Sequence, residues 1–311
     1  MPAKIPSSFV LNPDVAQALA LNAPLVALES TVITHGLPQP QNLQLARDME
    51  KEVRSQSAVP ATIAILDGKI HIGLNDAQLE RLAFGKTPVR KISRRDFGIA
   101  IARREDGSTT VAGTLIVAHR VGIRVMATGG IGGVHRNAPF DVSSDLPALG
   151  ATPIVVVCSG AKAILDLPAT LETLETMGVP VVGYQTDELP AFYSRTSGLP
   201  VTVSASSPGE IAAIARAQWE MGISSAILVV NPPPEEVALP YEEVEQVIQA
   251  ALLDAEQKKI HGAALTPFLL QRVSELSGGV SLRANLALLL SNARLAARIA
   301  VEISQKTKTI L

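Results

Sequence analysis

The chain has one cysteine, Cys158, among 311 residues. A lone thiol excludes an internal disulfide and a cysteine-built zinc site, and it suits a reducing compartment, so a cytoplasmic location is expected. Aromatic residues make up only 3% of the sequence, too few for a surface that stacks exposed bases. Charge of one sign is not in excess either, with 27 Lys and Arg against 29 Asp and Glu. No global field would recruit a polyanion or an anionic membrane, so neither nucleic acid nor a membrane is an expected partner. Long apolar runs are missing too: "ANLALLLSNARLAARIA" (284–300) is broken by Asn285, Asn292, Arg294 and Arg298 before it could span a bilayer. The opening "MPAKIPSSFVLNPDV" places prolines and polar residues where an export signal needs an apolar stretch.

What is present is a large apolar reserve, 47% of residues, enough for a sizeable core. Short Val- and Ile-rich runs alternate with helical patterns, which predicts an α/β fold with its sheet covered on both faces. The predicted strands are 25–31, 61–66, 69–73, 97–102, 124–130, 153–159, 180–186, 200–206 and 225–231. Asp67-Gly68 is a two-residue hairpin signal, so the sheet should be mixed. Helices are predicted at 39–56 and 207–221, and a helical C-terminal third at 241–258, 266–277 and 281–304. No flexible linker or repeat interrupts 1–311, so a single domain is expected.

Several stretches carry groups suited to chemistry. In "PIVVVCSGAKAILD" (153–166) Lys162 follows a buried strand and is predicted in the first turn of the next helix. Burial and the helix N-terminus both disfavour an ammonium there, and a neutral amine can attack a carbonyl and form a Schiff base. The same position also suits a lysine that snorkels to solvent. In "VALESTVITHGLPQP" (26–40) Glu29 and His35 lie at and beyond a strand's carboxyl end, where α/β proteins collect ligands. Glu29 could be a general acid or a structurally paired carboxylate.

The basic run "RKISRRDFG" (90–98), with Arg90, Lys91, Arg94 and Arg95, and the helix entry "GSTTVAGT" (107–114) together suit an anion such as a phosphate. The glycine spacing matches neither a Walker loop nor a dinucleotide fingerprint. In "ATGGIGGVHRNAPFDVSSD" (127–145) the glycines could admit a ligand close to backbone. Asp141 could hold a hard divalent ion with several waters, or the segment could be a turn with an aspartate helix cap. His119, within a helix, and Cys158 are assigned to packing.

In order, "ALESTVITHGLPQPQN", "GSTTVAGT", "ATGGIGGVHR", "FDVSSDL", "VVCSGAKAILDLPATLE", "GYQTDELPAFYSRTSG", "NPPP" and "SLRANLALLLSNA" resemble the pseudouridine-5'-phosphate glycosidases, the indigoidine synthase A-like family. The resemblance covers nearly the whole chain. It implies a three-layer α/β/α sandwich around a mixed sheet, a homotrimer, and reversible cleavage of pseudouridine 5'-phosphate to uracil and ribose 5-phosphate. It further implies Lys162 as nucleophile, Glu29 as proton donor, and Asp141 as ligand of one Mn2+ per subunit. Phosphate and sugar would be held by Lys91, Thr110, Val111, Ser143, Ser144 and Asp145, with Asn285 reading the base. A carbon-linked base explains the lysine: the usual pair of carboxylates would have to expel a poorly stabilised carbanion, whereas an imine at C1' of the opened ribose supplies an electron sink.

Overall fold

Strands that are apolar on both sides can be buried only in a sheet with helices on each face. The computed structural model, which describes residues 6–305 apart from 86, 137, 261, 263 and 264, has that arrangement. In chain order the strands are β1 (Phe9–Leu11), β2 (Leu25–Leu28), β3 (Val59–Leu66), β4 (Lys69–Ile72), β5 (Arg90–Ile92), β6 (Gly107–Thr109) and β7 (Val125–Ala127). They continue with β8 (Val134–His135), β9 (Ala138–Val142), β10 (Val155–Cys158), β11 (Leu165–Asp166), β12 (Val181–Tyr184), β13 (Val203–Ala205) and β14 (Ile227–Val230). The helices are α1 (Pro13–Leu21), α2 (Gln41–Ser55), α3 (Asp76–Phe84), α4 (Phe97–Arg103), α5 (Val111–Val121) and α6 (Asp145–Leu149). After them come α7 (Leu167–Thr176), α8 (Pro208–Glu220), α9 (Tyr241–Gln257), α10 (Leu265–Leu276) and α11 (Val280–Ser304).

The centre of the main sheet is parallel, in the order β3-β2-β7-β10-β14-β12-β13. Every residue of β2, β7, β10 and β14 is buried, which is why these runs show no apolar–polar alternation. The sheet is mixed, as expected, because β3 turns back into β4 through Asp67 and Gly68, both at positive φ (52° and 74°), as a type I′ turn requires. α2, α8 and α11 form one layer, with α11 lying along β2, β7 and β10; α5, α6 and α7 form the other. A hydrophobic core runs from Val15 to Ala300. A second, three-stranded sheet, β11-β8-β9, stands beyond the main one.

From β2 the chain moves to β3 on one side, whereas β7 pairs on the other side of β2 and leads on to β10. Chain direction therefore diverges between β2 and β7, and the crevice at their carboxyl ends is where doubly wound sheets take ligands.

The stretch 97–102 is helix α4, not a strand. Phe97, Ala100 and Ile101 all pack on the core, and this i, i+3, i+4 spacing gives a short helix one apolar face, while its alternation merely imitated a strand. The helical C-terminal third is present as α9, α10 and α11. Among the described residues no helix is long and apolar enough to cross a membrane.

Candidate active site

Glu29 comes directly after β2 and Thr128 directly after β7, so the two face each other across that crevice. The Thr128 hydroxyl donates to Glu29 Oε1 at 2.5 Å, and the Thr31 hydroxyl donates to Oε2. Next along, the buried Ser30 hydroxyl donates to the Ile63 carbonyl (2.6 Å) and accepts the Thr109 N–H (2.9 Å), which pins the strand end in place. A single π-helical turn, Val32–Gly36, follows and carries His35; such turns recur at functional sites. His35 Nδ1 lies 2.5 Å from the Thr34 hydroxyl. Burial, and then the charge of Lys91, lower its pKa.

Lys162 does not open a helix. It sits in a turn between β10 and β11, and α7 begins at Leu167, where Asp166 caps it by accepting the Ala169 N–H at 3.0 Å. "DLP" was the true helix start, a capping Asp with Pro in the first turn, so the helix dipole cannot act on Lys162. The lysine is placed instead by Gly160, at φ +87°, where an added Cβ would strike the Pro190 carbonyl. Ala161 then bridges to Ile131, and the Lys162 N–H donates to the Ile131 carbonyl at 3.0 Å. The half-buried side chain runs back along this segment, and Nζ donates to the Gly130 carbonyl at 2.7 Å.

Of the basic run, only Lys91 joins this group. Arg90 pairs with Glu105 at 2.5 Å, and Arg94 and Arg95 are exposed. Lys91 is exposed as a residue, yet desolvation and then the charge of Lys162 lower its pKa, against Asp145 and Glu29. His135 senses the same groups. Burial, Lys91 and Lys162 lower its pKa while Asp141 raises it.

Beside Lys91, α5 presents its N-terminus. Thr110 is the N-cap, accepting the Gly113 N–H (3.2 Å) and donating to the Ile92 carbonyl (3.0 Å). The buried carboxylate of Asp145 accepts N–H groups from Ala112 (2.9 Å) and Gly132 (2.8 Å). The Asp145 N–H in turn donates to the half-buried Ser143 hydroxyl at 3.2 Å, and Ser144 is exposed. Among the described residues the Val111 N–H has no partner. A free helix N–H beside a lysine is a binding arrangement for an anion.

Asp141 lies exposed on β9, and among the described residues no three His, Cys, Asp or Glu converge as metal ligands. A lone open carboxylate fits a hard, largely hydrated divalent ion and does not fit an all-protein nitrogen or sulfur cage. Asn285 is half-buried on α11. Cys158 is fully buried with its thiol pushed up to about 12 by burial, as a packing residue should be. His119 departs from its assignment: it is helical but exposed, on the face of α5 that also carries the exposed Arg120, while its neighbour Ala118 is buried.

The family model for indigoidine synthase A-like proteins matches residues 14–302. The chain belongs to that family. Among its relatives is the pseudouridine-5'-phosphate glycosidase of Paracoccus denitrificans (strain Pd 1222), 53% identical over 96% of this chain and 100% of that protein. The protein of the same name from Geobacillus kaustophilus (strain HTA426) is 52% identical over 95% and 99%. Two solved structures share the fold. The indigoidine synthase A-like protein of Thermotoga maritima has a TM-score of 0.86 at 38% identity, covering 92% of this chain and 94% of that one. The prealnumycin C-glycosynthase AlnA, in complex with ribulose 5-phosphate, has a TM-score of 0.89 at 41% identity, covering 96% and 98%.

Sequence reasoning missed several residues that shape this crevice. Thr31 and Thr128 hold Glu29. Arg136, ion-paired with Glu245 at 2.5 Å, donates to the carbonyls of Ala163 (2.9 Å) and Leu165 (3.1 Å) and so braces the turn after Lys162. In the sequence Asn292 stands out only as an interruption of an apolar run. Its signal is a polar residue in helical phase with the buried Leu288, Leu289 and Leu295.

Proposed function

We propose that this protein catalyses reversible cleavage of the C–C glycosidic bond of pseudouridine 5'-phosphate, giving uracil and ribose 5-phosphate, with Lys162 as nucleophile and Glu29 as proton donor. The observation that carries the reading is the convergence of Glu29, Lys91 and Lys162 at the switch-point crevice, in a chain 53% identical to a protein named for this reaction.

Each group has a part. The Val111 N–H, Lys91 and the Ser143 and Ser144 hydroxyls bind the phosphate, while the buried carboxylate of Asp145 holds the α5 N-terminus against the Gly132 segment. Glu29 delivers a proton to the ring oxygen as the ribose opens, and Lys162 Nζ bonds to C1'. The new C1'–N ammonium gives a proton back to Glu29, its freed lone pair forms C1'=N⁺ as the C1'–C5 pair leaves to uracil, and Glu29 returns that proton to C5. Water hydrolyses the imine, freeing Lys162 and ribose 5-phosphate. Synthesis is the reverse. Asn285 faces the base in this reading. Asp141 would hold a Mn2+ ion, which when bound supplies positive charge for the anionic substrate.

The same reading includes a cytoplasmic homotrimer. An apolar edge supports assembly: on edge strand β9, Phe140 is 99% exposed and Val142 41%, surface that a second copy would cover. A second reading, C-glycoside synthesis onto another acceptor, is favoured by the likeness to a C-glycosynthase bound to a pentulose phosphate.

The test is borohydride reduction with ribose 5-phosphate, followed by peptide mass spectrometry. A reduced pentose phosphate adduct on Lys162, lost in Lys162→Ala, is expected; no adduct in the wild type would exclude the mechanism. Uracil consumption with ribose 5-phosphate separates this substrate from other acceptors.

A further inference from the structure

Polar side chains buried in an apolar sheet are costly unless paired. Four of them meet at the carboxyl ends of three neighbouring parallel strands: Thr128 after β7, Ser159 after β10, Asn231 after β14, and Asn292 reaching in from α11. None of Ser159, Asn231 and Asn292 takes part in the chemistry above.

Asn292 has no solvent exposure. Its Nδ2 donates to the Thr128 carbonyl at 2.9 Å and to Ser159 Oγ at 3.1 Å, and its Oδ1 accepts from Asn231 Nδ2 at 3.0 Å. These partners fix the amide's orientation, since the flipped form would set two NH2 groups against each other and an oxygen against a carbonyl. One side chain is thereby tied to both catalytic segments. Thr128 holds Glu29 through its hydroxyl, and Gly130, two residues on, accepts from Lys162 Nζ. Ser159 begins the segment that carries Lys162.

We propose that Asn292 is a positioning residue for this reaction: its amide locks the Thr128–Gly130 segment against the Ser159–Lys162 segment, and so sets the separation of the proton donor and the nucleophile. The proposal rests on the reading above. A residue that only filled the core would alter stability without separating kcat from KM, because phosphate recognition lies at α5 and Lys91, away from this amide.

The test substitutes Asn292→Asp, which keeps the shape and the acceptor for Asn231 but removes the donors. A misplacement of catalytic groups by about 1 Å costs on the order of 100-fold, so kcat for uracil and ribose 5-phosphate should fall by roughly 30- to 300-fold while KM for ribose 5-phosphate stays within about threefold. The lost donor returns when the new carboxyl is protonated, so kcat relative to wild type should recover as pH falls. Wild-type kcat, or kcat and KM changing together with an unaltered pH profile, would overturn the proposal. Should that variant fail to fold, Ser159→Ala removes only the contact on the lysine side. It should lower kcat by about three- to tenfold with KM unchanged, on the same misplacement argument, and an unchanged kcat would overturn the proposal as well. Borohydride trapping on wild-type Lys162 is run alongside: its failure refutes the functional reading itself, whereas its success with unaffected variants refutes only the role of Asn292.

Discussion

The Thr128 hydroxyl donates to Glu29 at 2.5 Å across the crevice between β2 and β7. Chain direction diverges there, so the carboxylate is aimed by a residue from the neighbouring strand as well as by Thr31 from its own. Thr128→Val keeps the shape and deletes the hydroxyl, leaving Thr31 as the remaining partner of the carboxylate. General acid–base groups contribute about 10²–10⁴-fold, and a misaimed one should forfeit part of that, so kcat is expected to drop by roughly 10- to 100-fold with KM for ribose 5-phosphate little changed. Thr128→Ser should restore most of the rate. Steady-state kinetics with both variants decide it, and wild-type turnover in Thr128→Val would show that Glu29 needs no such support.

His35 is held below its ordinary pKa by burial and by Lys91. In the unfolded chain it takes up a proton near 6.5, whereas folded it waits for a lower pH. Between those values the unfolded state binds more protons, so stability rises with pH through the window and the contribution is complete above about 6.5. His71, His119 and His135 are shifted the same way, so wild-type stability should decline on acidification below pH 6.5. His35→Asn should flatten part of that slope in urea unfolding followed from pH 7 to 5. An NMR titration placing the His35 midpoint at or above 6.5 would contradict the assignment.

How far the sequence reveals all this depends on burial and on distance along the chain. The central strands are legible because a strand covered on both faces must be a continuous apolar run. β8 and β11, two residues each, are too short to carry any period, and 97–102 had a spacing that served a helix as well as a strand. Lys162 stands out for its setting after β10, but no helix begins there; Gly160 and the Ile131 bridge place it instead. The place of Glu29 at the end of β2 is legible from the apolar run before it. Its partner Thr128 lies 99 residues away, and Asn292 reaches Thr128 over 164. No local pattern can announce such pairings.

Asp141 is an exposed carboxylate whose charge raises the pKa of His135. If it holds Mn2+ with the remaining positions taken by water and substrate, replacing it by the neutral amide in Asp141→Asn should weaken metal binding at least tenfold, about the smallest loss expected for a lost metal contact. The paramagnetic signal of free Mn2+ reports this directly, without turnover. Equal binding by the variant and the wild type would move the ligand elsewhere.

Gly132 shows how little room there is between Ser143, Asp145 and the start of α5, where the proposed reading places the phosphate. A Cβ on this residue would overlap the Ser143 hydroxyl and stand 2.9 Å from Asp145 Oδ2, the oxygen that accepts the Gly132 N–H. Ser143 and Asp145 cannot both yield, since Asp145 also holds the Ala112 N–H at the start of α5. Gly132→Ala should therefore push the Ser143–Asp145 segment away from α5, at an overpacking cost of about 1–3 kcal/mol. The damage should fall on phosphosugar binding more than on the lysine chemistry. KM for ribose 5-phosphate is expected to rise at least tenfold, on the order of one lost hydrogen bond to a charged group, while Lys162 remains trappable by borohydride at saturating sugar. A variant that melts with the wild type and binds ribose 5-phosphate equally well would mean that the segment accommodates a methyl group, and that Asp145 does not hold the phosphate pocket in shape.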